Sequence, residues 1–102
     1  MNRIDRLKSL LERDPTDAFL HFGLAMEYVK LGRVDDALAA FDRVLEHDPN
    51  YSAAYYHKGN TLIGLGRHEE ARDVLARGVE VTRRNGDPHA QREMEELLAS
   101  LG

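Results

Sequence analysis

The residues best suited to chemistry in this chain are its histidines, because imidazole serves both as a metal ligand and as a general base. There are five: His21, His47, His57, His68 and His89. A helical zinc peptidase site needs two histidines four residues apart with a glutamate after the first. No two of the five have that spacing, and His68-Glu69-Glu70 has no second histidine. We therefore expect no metal and no cofactor.

Nucleophiles and phosphate loops are equally poorly supported. The chain has no cysteine, which excludes disulfides and thiolate metal ligands. No base is grouped with Ser9, Ser52 or Ser100, and no glycine-rich phosphate loop is present. The acidic pairs Asp35-Asp36 and Glu69-Glu70 stand where helices begin, and the helix dipole accounts for them. The sequence indicates that the protein is not an enzyme, and catalysis is kept only as a remote alternative.

Composition narrows the choice of partner. The 102 residues carry a formal net charge of −4, and nucleic acids and anionic membranes both require a basic surface. We therefore expect no nucleic-acid partner and no membrane partner. Hydrophobic residues make up 42% of the chain, enough for a core, but no apolar run reaches the roughly 20 residues of a membrane span. The expected location is cytoplasmic.

The strongest pattern is an internal repeat, in which similar residues return at a fixed offset along the chain. Adding 34 to Gly32, Ala37 and Phe41 gives Gly66, Ala71 and Leu75. Subtracting 34 from Phe41, Val44 and Pro49 gives Leu7, Leu10 and Pro15. Apolar residues within each period recur at the spacing of an amphipathic helix, with glycine or proline between the helices. The pattern predicts helices over 2–13, 17–31, 34–47, 51–64, 68–84 and 87–101, with no strand.

A helix-turn-helix unit of this length resembles the tetratricopeptide repeat. One repeat is carried by His21, Leu24, Ala25, Tyr28, Gly32, Ala37, Phe41, Val44 and Pro49. The next has Tyr55, Lys58, Gly59, Leu62, Gly66, Ala71, Leu75, Gly78 and Arg83. Lys58 replaces the usual leucine and Arg83 the usual proline. The resemblance implies an all-α, right-handed α-α solenoid of about six helices in antiparallel pairs.

The same resemblance implies a division of the chain. Residues 1–102 form a single domain, with a half-repeat helix at 2–15, repeats at 18–51 and 52–85, and a capping helix at 87–101. Terminal helices with a polar outer face are needed to cover a solenoid's end. Glu93, Glu95 and Glu96 of that capping helix are expected to form a solvated face.

Family geometry further implies a protein-binding scaffold whose first helices line a concave groove. The groove positions are Phe19, Phe22, Gly23, Met26, Val29, Lys30, Ala53, Tyr56, His57, Asn60, Ile63 and Gly64. Relatives that grip a C-terminal carboxylate place lysine and asparagine where this chain has Phe22 and Met26. That clamp is therefore absent, although Asn60 echoes it one repeat later.

The predicted partner-binding residues are the apolar groove positions and their polar rim. They are Phe19, Phe22, Met26, Val29, Lys30, Tyr56, His57, Asn60 and Ile63. An apolar peptide or a partner's helix laid in the groove is the first hypothesis. A homodimer through the same face is the second. The alternative for Phe19 and Phe22 is that they pack under a neighbouring helix and bind nothing.

Overall fold

The computed structural model describes residues 2–102, which form six α-helices and contain no strand. The helices are α1 Arg3–Arg13, α2 Ala18–Lys30, α3 Val34–His47, α4 Ser52–Gly64, α5 His68–Asn85 and α6 Pro88–Ala99. The all-α prediction is confirmed. Two compact units divide the chain, Met1–Tyr51 with α1 to α3 and Ser52–Gly102 with α4 to α6.

The first unit is built around the pair α2 and α3. Asp17 begins α2 by accepting a 3.2 Å hydrogen bond from the backbone N–H of Leu20. Gly32 then adopts a φ of 73°, and the backbone N–H of Arg33 donates to the carbonyl of Tyr28 at 2.9 Å. Because a left-handed residue ends a helix at little cost only when it is glycine, Gly32 fixes this turn.

The core of the first unit combines small and large side chains. Ala25 and Ala37 have no exposed surface, and neither has Phe41, which is among the largest fully buried side chains. Helix α1 packs against α2, where Leu7 lies 3.5 Å from the position of a Cβ on Gly23. The repeat residues Ala25, Ala37 and Phe41 are therefore all buried in this core.

The second unit contains the same turn between α4 and α5, and its third helix is α6. Gly66 has a φ of 76°, and the N–H of Arg67 donates to the carbonyl of Leu62 at 2.9 Å. A Cβ on Gly59 would lie only 2.7 Å from Cγ of Leu75, so α4 and α5 approach closely at this glycine. Helix α6 packs mainly against α5 and also touches α4.

The end of α5 shows the structural effect of Arg83, which stands where the repeat usually has proline. Helix α3 ends at His47, just before Asp48-Pro49, because the residue before a proline is pushed out of the helical region. Helix α5 meets no proline and runs through Asn85, one residue beyond its predicted end, until Gly86 stops it with a φ of 67°. Helix α6 ends at Ala99, two residues before its predicted end.

None of the helices within residues 2–102 is both long enough and apolar enough to cross a lipid bilayer.

Candidate protein-binding site

The second unit contains a cleft between α4 and α6 with a volume of about 330 Å³. The first turns of α4 form one wall, and α6 forms the other. The lining comprises Ser52, Ala53, Tyr56, His57, Ala90, Glu93 and Met94. Each of these positions is three or four residues from another on the same helix, so the positions of one helix share one face.

The wall formed by α6 is held in place at its start and at its middle. Asp87 caps the helix by accepting a 3.2 Å hydrogen bond from the N–H of Ala90, and Pro88 occupies the first turn. Met94 is almost completely buried, with its sulfur against Gly78 of α5. Met94 thus anchors α6 on α5, and Ala90 and Glu93 line the cleft beside it.

The titratable side chains His57 and Glu93 differ in their environment within the cleft. Burial lowers the pKa of His57 from its ordinary value, and the Glu93 carboxylate offsets part of that shift. The His57 ring stands edge-on to the ring of Tyr56, with centroids 5.2 Å apart. The Glu93 side chain is 49% exposed, and its Oε1 lies 3.3 Å from Nε2 of His89. The cleft therefore combines an aromatic surface with one carboxylate.

Two of the predicted partner-binding residues of α4, Tyr56 and His57, line this cleft. Asn60 is exposed and Ile63 is half-buried on the same helix, but neither contributes to the lining. The structure thus brings together only part of the α4 set.

The predicted residues of α2 in the first unit differ in exposure. Phe19 is 70% exposed, so it does not pack under a neighbouring helix. Phe22 is half-buried, with its ring centroid 6.2 Å from that of Phe41 and 5.1 Å from that of Tyr51. The remaining three are Met26 and Val29, which are half-buried, and Lys30, which is exposed with Nζ 3.7 Å from Oε1 of Glu27.

One groove position, Gly23, is half-buried and lies beside α1. Gly23 faces Leu7 of α1 at van der Waals distance, so α1 lies over this part of α2. The place of Gly23 in the groove stays a prediction. The role of the other α2 residues in partner binding stays a prediction.

The α6 wall of the cleft was not predicted from the sequence. Glu93 was assigned to a solvated face and the last helix was interpreted as a cap. The repeat did carry a signal, since adding 34 to Tyr56 and Asn60 gives Ala90 and Met94, both of which line the cleft. Adding 34 to the buried Gly59 gives Glu93. Because glycine and glutamate differ so much, the repeat did not indicate that the residues around Glu93 line a cleft.

The histidines offer no assembled reactive site. His21 is half-buried, its Nε2 lies 2.8 Å from the carbonyl of Pro15, and its ring stacks on His47 with centroids 5.4 Å apart. Because a carbonyl only accepts, Nε2 of His21 carries the proton of this hydrogen bond. Across residues 2–102 no three histidine or acidic side chains come together in a way that could hold a metal ion.

Helix pairs joined by a left-handed glycine and packed through alanine and glycine define a helical-repeat protein. A family model described as Tetratricopeptide repeat matches residues 22–88. This chain belongs to the tetratricopeptide repeat family.

Known proteins similar to this chain cover nearly all of it. The TPR repeat-containing protein PA0015 of Pseudomonas aeruginosa is 31% identical over 98 residues, 96% of this chain and 93% of that protein. The solution structure of protein BPP2914 from Bordetella parapertussis is 29% identical, with a TM-score of 0.84 over 99% of this chain and 88% of that one. The TPR2B domain of yeast Sti1, solved in complex with pHsp70, has a TM-score of 0.89 over 96% and 78% of the two chains. At 22% identity that likeness shows the fold alone.

Proposed function

We propose that this protein is a non-enzymatic interaction module that binds an apolar peptide or a partner's helix. Tetratricopeptide repeats mediate protein–protein interactions, and the chain belongs to that family. The observation that carries the proposal is the cleft between α4 and α6, because Tyr56 and His57 occupy positions that the family uses for partner binding.

The size and lining of the cleft support a peptide rather than a small metabolite. Its volume of about 330 Å³ is at the lower end for ligand pockets, which suits one or two side chains of a longer partner. Aromatic side chains, present here as Tyr56, are enriched at the centres of protein interfaces.

The partner proposed here differs from a chaperone tail. The yeast Sti1 domain was solved with pHsp70. In this chain Phe22 and Met26 stand where carboxylate-gripping relatives have lysine and asparagine, and the cleft itself contains Glu93. A carboxylate-ended peptide would meet no cationic clamp at these positions, which favours an internal or helical segment of the partner.

A matched pair of alanine substitutions tests the site. Ala53 is exposed in the cleft lining, whereas Ala76 is exposed on α5 outside it. Ala53→Arg fills the cleft. For peptides selected from a displayed 12-residue library, we therefore expect it to lower the binding affinity at least about tenfold, a change worth ~1.4 kcal/mol. Binding is measured by fluorescence anisotropy.

Ala76→Arg adds the same side chain and charge to the same unit, so we expect it to leave those affinities unchanged. Helical circular dichroism establishes that both variants remain folded. Peptides that bind wild type and folded Ala53→Arg equally well would place the partner surface elsewhere.

Self-association is the second candidate function. Phe19, exposed by 70% on α2, favours it because a large apolar side chain in water gains free energy when a second copy covers it. In a two-fold contact the same residue would serve on both copies, doubling the buried apolar area.

A further inference from the structure

The charge of the cleft between α4 and α6 indicates which peptide it selects. Among its seven lining residues, Glu93 is the only aspartate, glutamate, lysine or arginine. The Glu93 side chain is half-exposed, while Tyr56 and Ala53 supply aromatic and apolar surface to the same cleft. A ligand that matches both features needs a positive charge at the end of an apolar stem.

A neutral His57 beside Glu93 leaves the negative charge of the carboxylate in place. Burial lowers the pKa of His57, which favours its neutral form at neutral pH. His89 approaches Glu93 from the exposed side, with Nε2 3.3 Å from Oε1. A neutral imidazole donates a hydrogen bond to the carboxylate without cancelling its charge.

We propose that the cleft binds an arginine or lysine side chain of the partner, with the methylenes of that side chain on Tyr56 and Ala53 and its cationic group on Glu93. This proposal rests on the proposed function, since it names the ligand of the same site. Lysine and arginine both bury their stems along apolar surface while the charged group stays near water. A guanidinium over the Tyr56 ring adds a cation–π attraction.

The formal charge of the whole chain agrees with this assignment. At −4 it attracts a basic segment and repels an acidic one. Charge-assisted hydrogen bonds to a carboxylate are about twice as strong as neutral ones, so Glu93 is expected to separate basic from acidic peptides.

The test pans a random 12-residue peptide library on the full chain at pH 8, where imidazoles are neutral. We expect the selected peptides to be enriched in arginine or lysine next to apolar residues. Glu93→Gln keeps the shape of the side chain and removes its charge. It is expected to lower the affinity for those peptides roughly tenfold, the scale of a hydrogen bond to a charged group.

Glu95→Gln is the matched control, because Glu95 is exposed on α6 but does not line the cleft. It is expected to leave affinities unchanged. Panning on Glu93→Lys supplies a second measurement. We expect the peptides selected on this variant to be enriched in aspartate or glutamate instead of basic residues.

The outcomes separate this proposal from the proposed function. Suppose that Ala53→Arg weakens the binding of the selected peptides. If these peptides show no enrichment in basic residues, or if they bind Glu93→Gln as tightly as wild type, the basic-ligand assignment is overturned and peptide binding at the cleft is left intact. A library that yields no binder at all would overturn both.

Discussion

At the scale of single residues, Gly78 controls how closely α6 approaches the rest of its unit. A Cβ at this position would lie 2.7 Å from Cβ of Tyr55 and would collide with the sulfur of Met94. The methionine can move its flexible end, but the Tyr55 Cβ is fixed to its backbone. The missing side chain therefore lets Met94 reach its buried position and form the floor of the cleft.

Two glycine-to-alanine substitutions within the second unit are expected to have opposite signs. Gly78→Ala should destabilise the fold by ~1–3 kcal/mol through overpacking. Gly64, in α4, has nothing within 4 Å of its Cβ position, so Gly64→Ala should stabilise by up to ~1 kcal/mol by restricting the unfolded chain. Urea denaturation followed by circular dichroism measures both, and a stabilised Gly78→Ala protein would contradict the close approach.

At the scale of secondary structure elements, α1 and α3 occupy equivalent places in the repeat but are buried to different degrees. Leu7 corresponds to Phe41, and both are buried. Leu10 corresponds to Val44, yet Leu10 is 48% exposed and Val44 has no exposed surface. The same position in the repeat therefore contributes differently to stability, because burial depends on which helices surround it.

The two leucines of α1 provide a comparison within one helix. Leu7→Ala removes a side chain packed on α2 and is expected to cost ~2–5 kcal/mol, provided that the unit unfolds cooperatively. Leu10→Ala is expected to cost ~1 kcal/mol or less, because about half of its surface is already in water. Helix propensity changes equally in both, so the difference in urea midpoints reports burial alone. Equal losses would show that Leu10 is covered in solution.

At the scale of the whole molecule, the chain consists of two compact units that each carry a core of their own. The single domain over 1–102 stays a prediction, supported by the repeat that continues unbroken across both units. The oligomeric state distinguishes the two candidate functions. Stable dimers bury roughly 1,200–2,000 Å² in total, far more than one exposed phenylalanine supplies.

Light scattering after size-exclusion chromatography provides that test. We expect the mass of one chain, 11.6 kDa, at every concentration, because the proposed peptide site is complete in one copy. A mass that grows with concentration and returns to the monomer value in Phe19→Ser would favour self-association. Leu65→Ser is the control, since Leu65 is also exposed but lies at the turn after α4.

The sequence by itself determined the helices, the turns and the helix contacts within each repeat. Gly32 and Gly66 could be placed because a left-handed turn strongly favours glycine, and Ala37 and Ala71 because close helix packing tolerates only small side chains. These requirements are local and recur in each period of the repeat, so periodicity was enough to read them.

Only the tertiary structure decided that α6 lines a cleft with α4 and that Glu93 faces it. Periodicity shows which side of a helix is apolar, but it does not show which helix will lie opposite or how far apart the two will be. The contact between Gly23 and Leu7 likewise depends on where α1 packs. The charge of a site arises from side chains distant in sequence, and their meeting is set by packing.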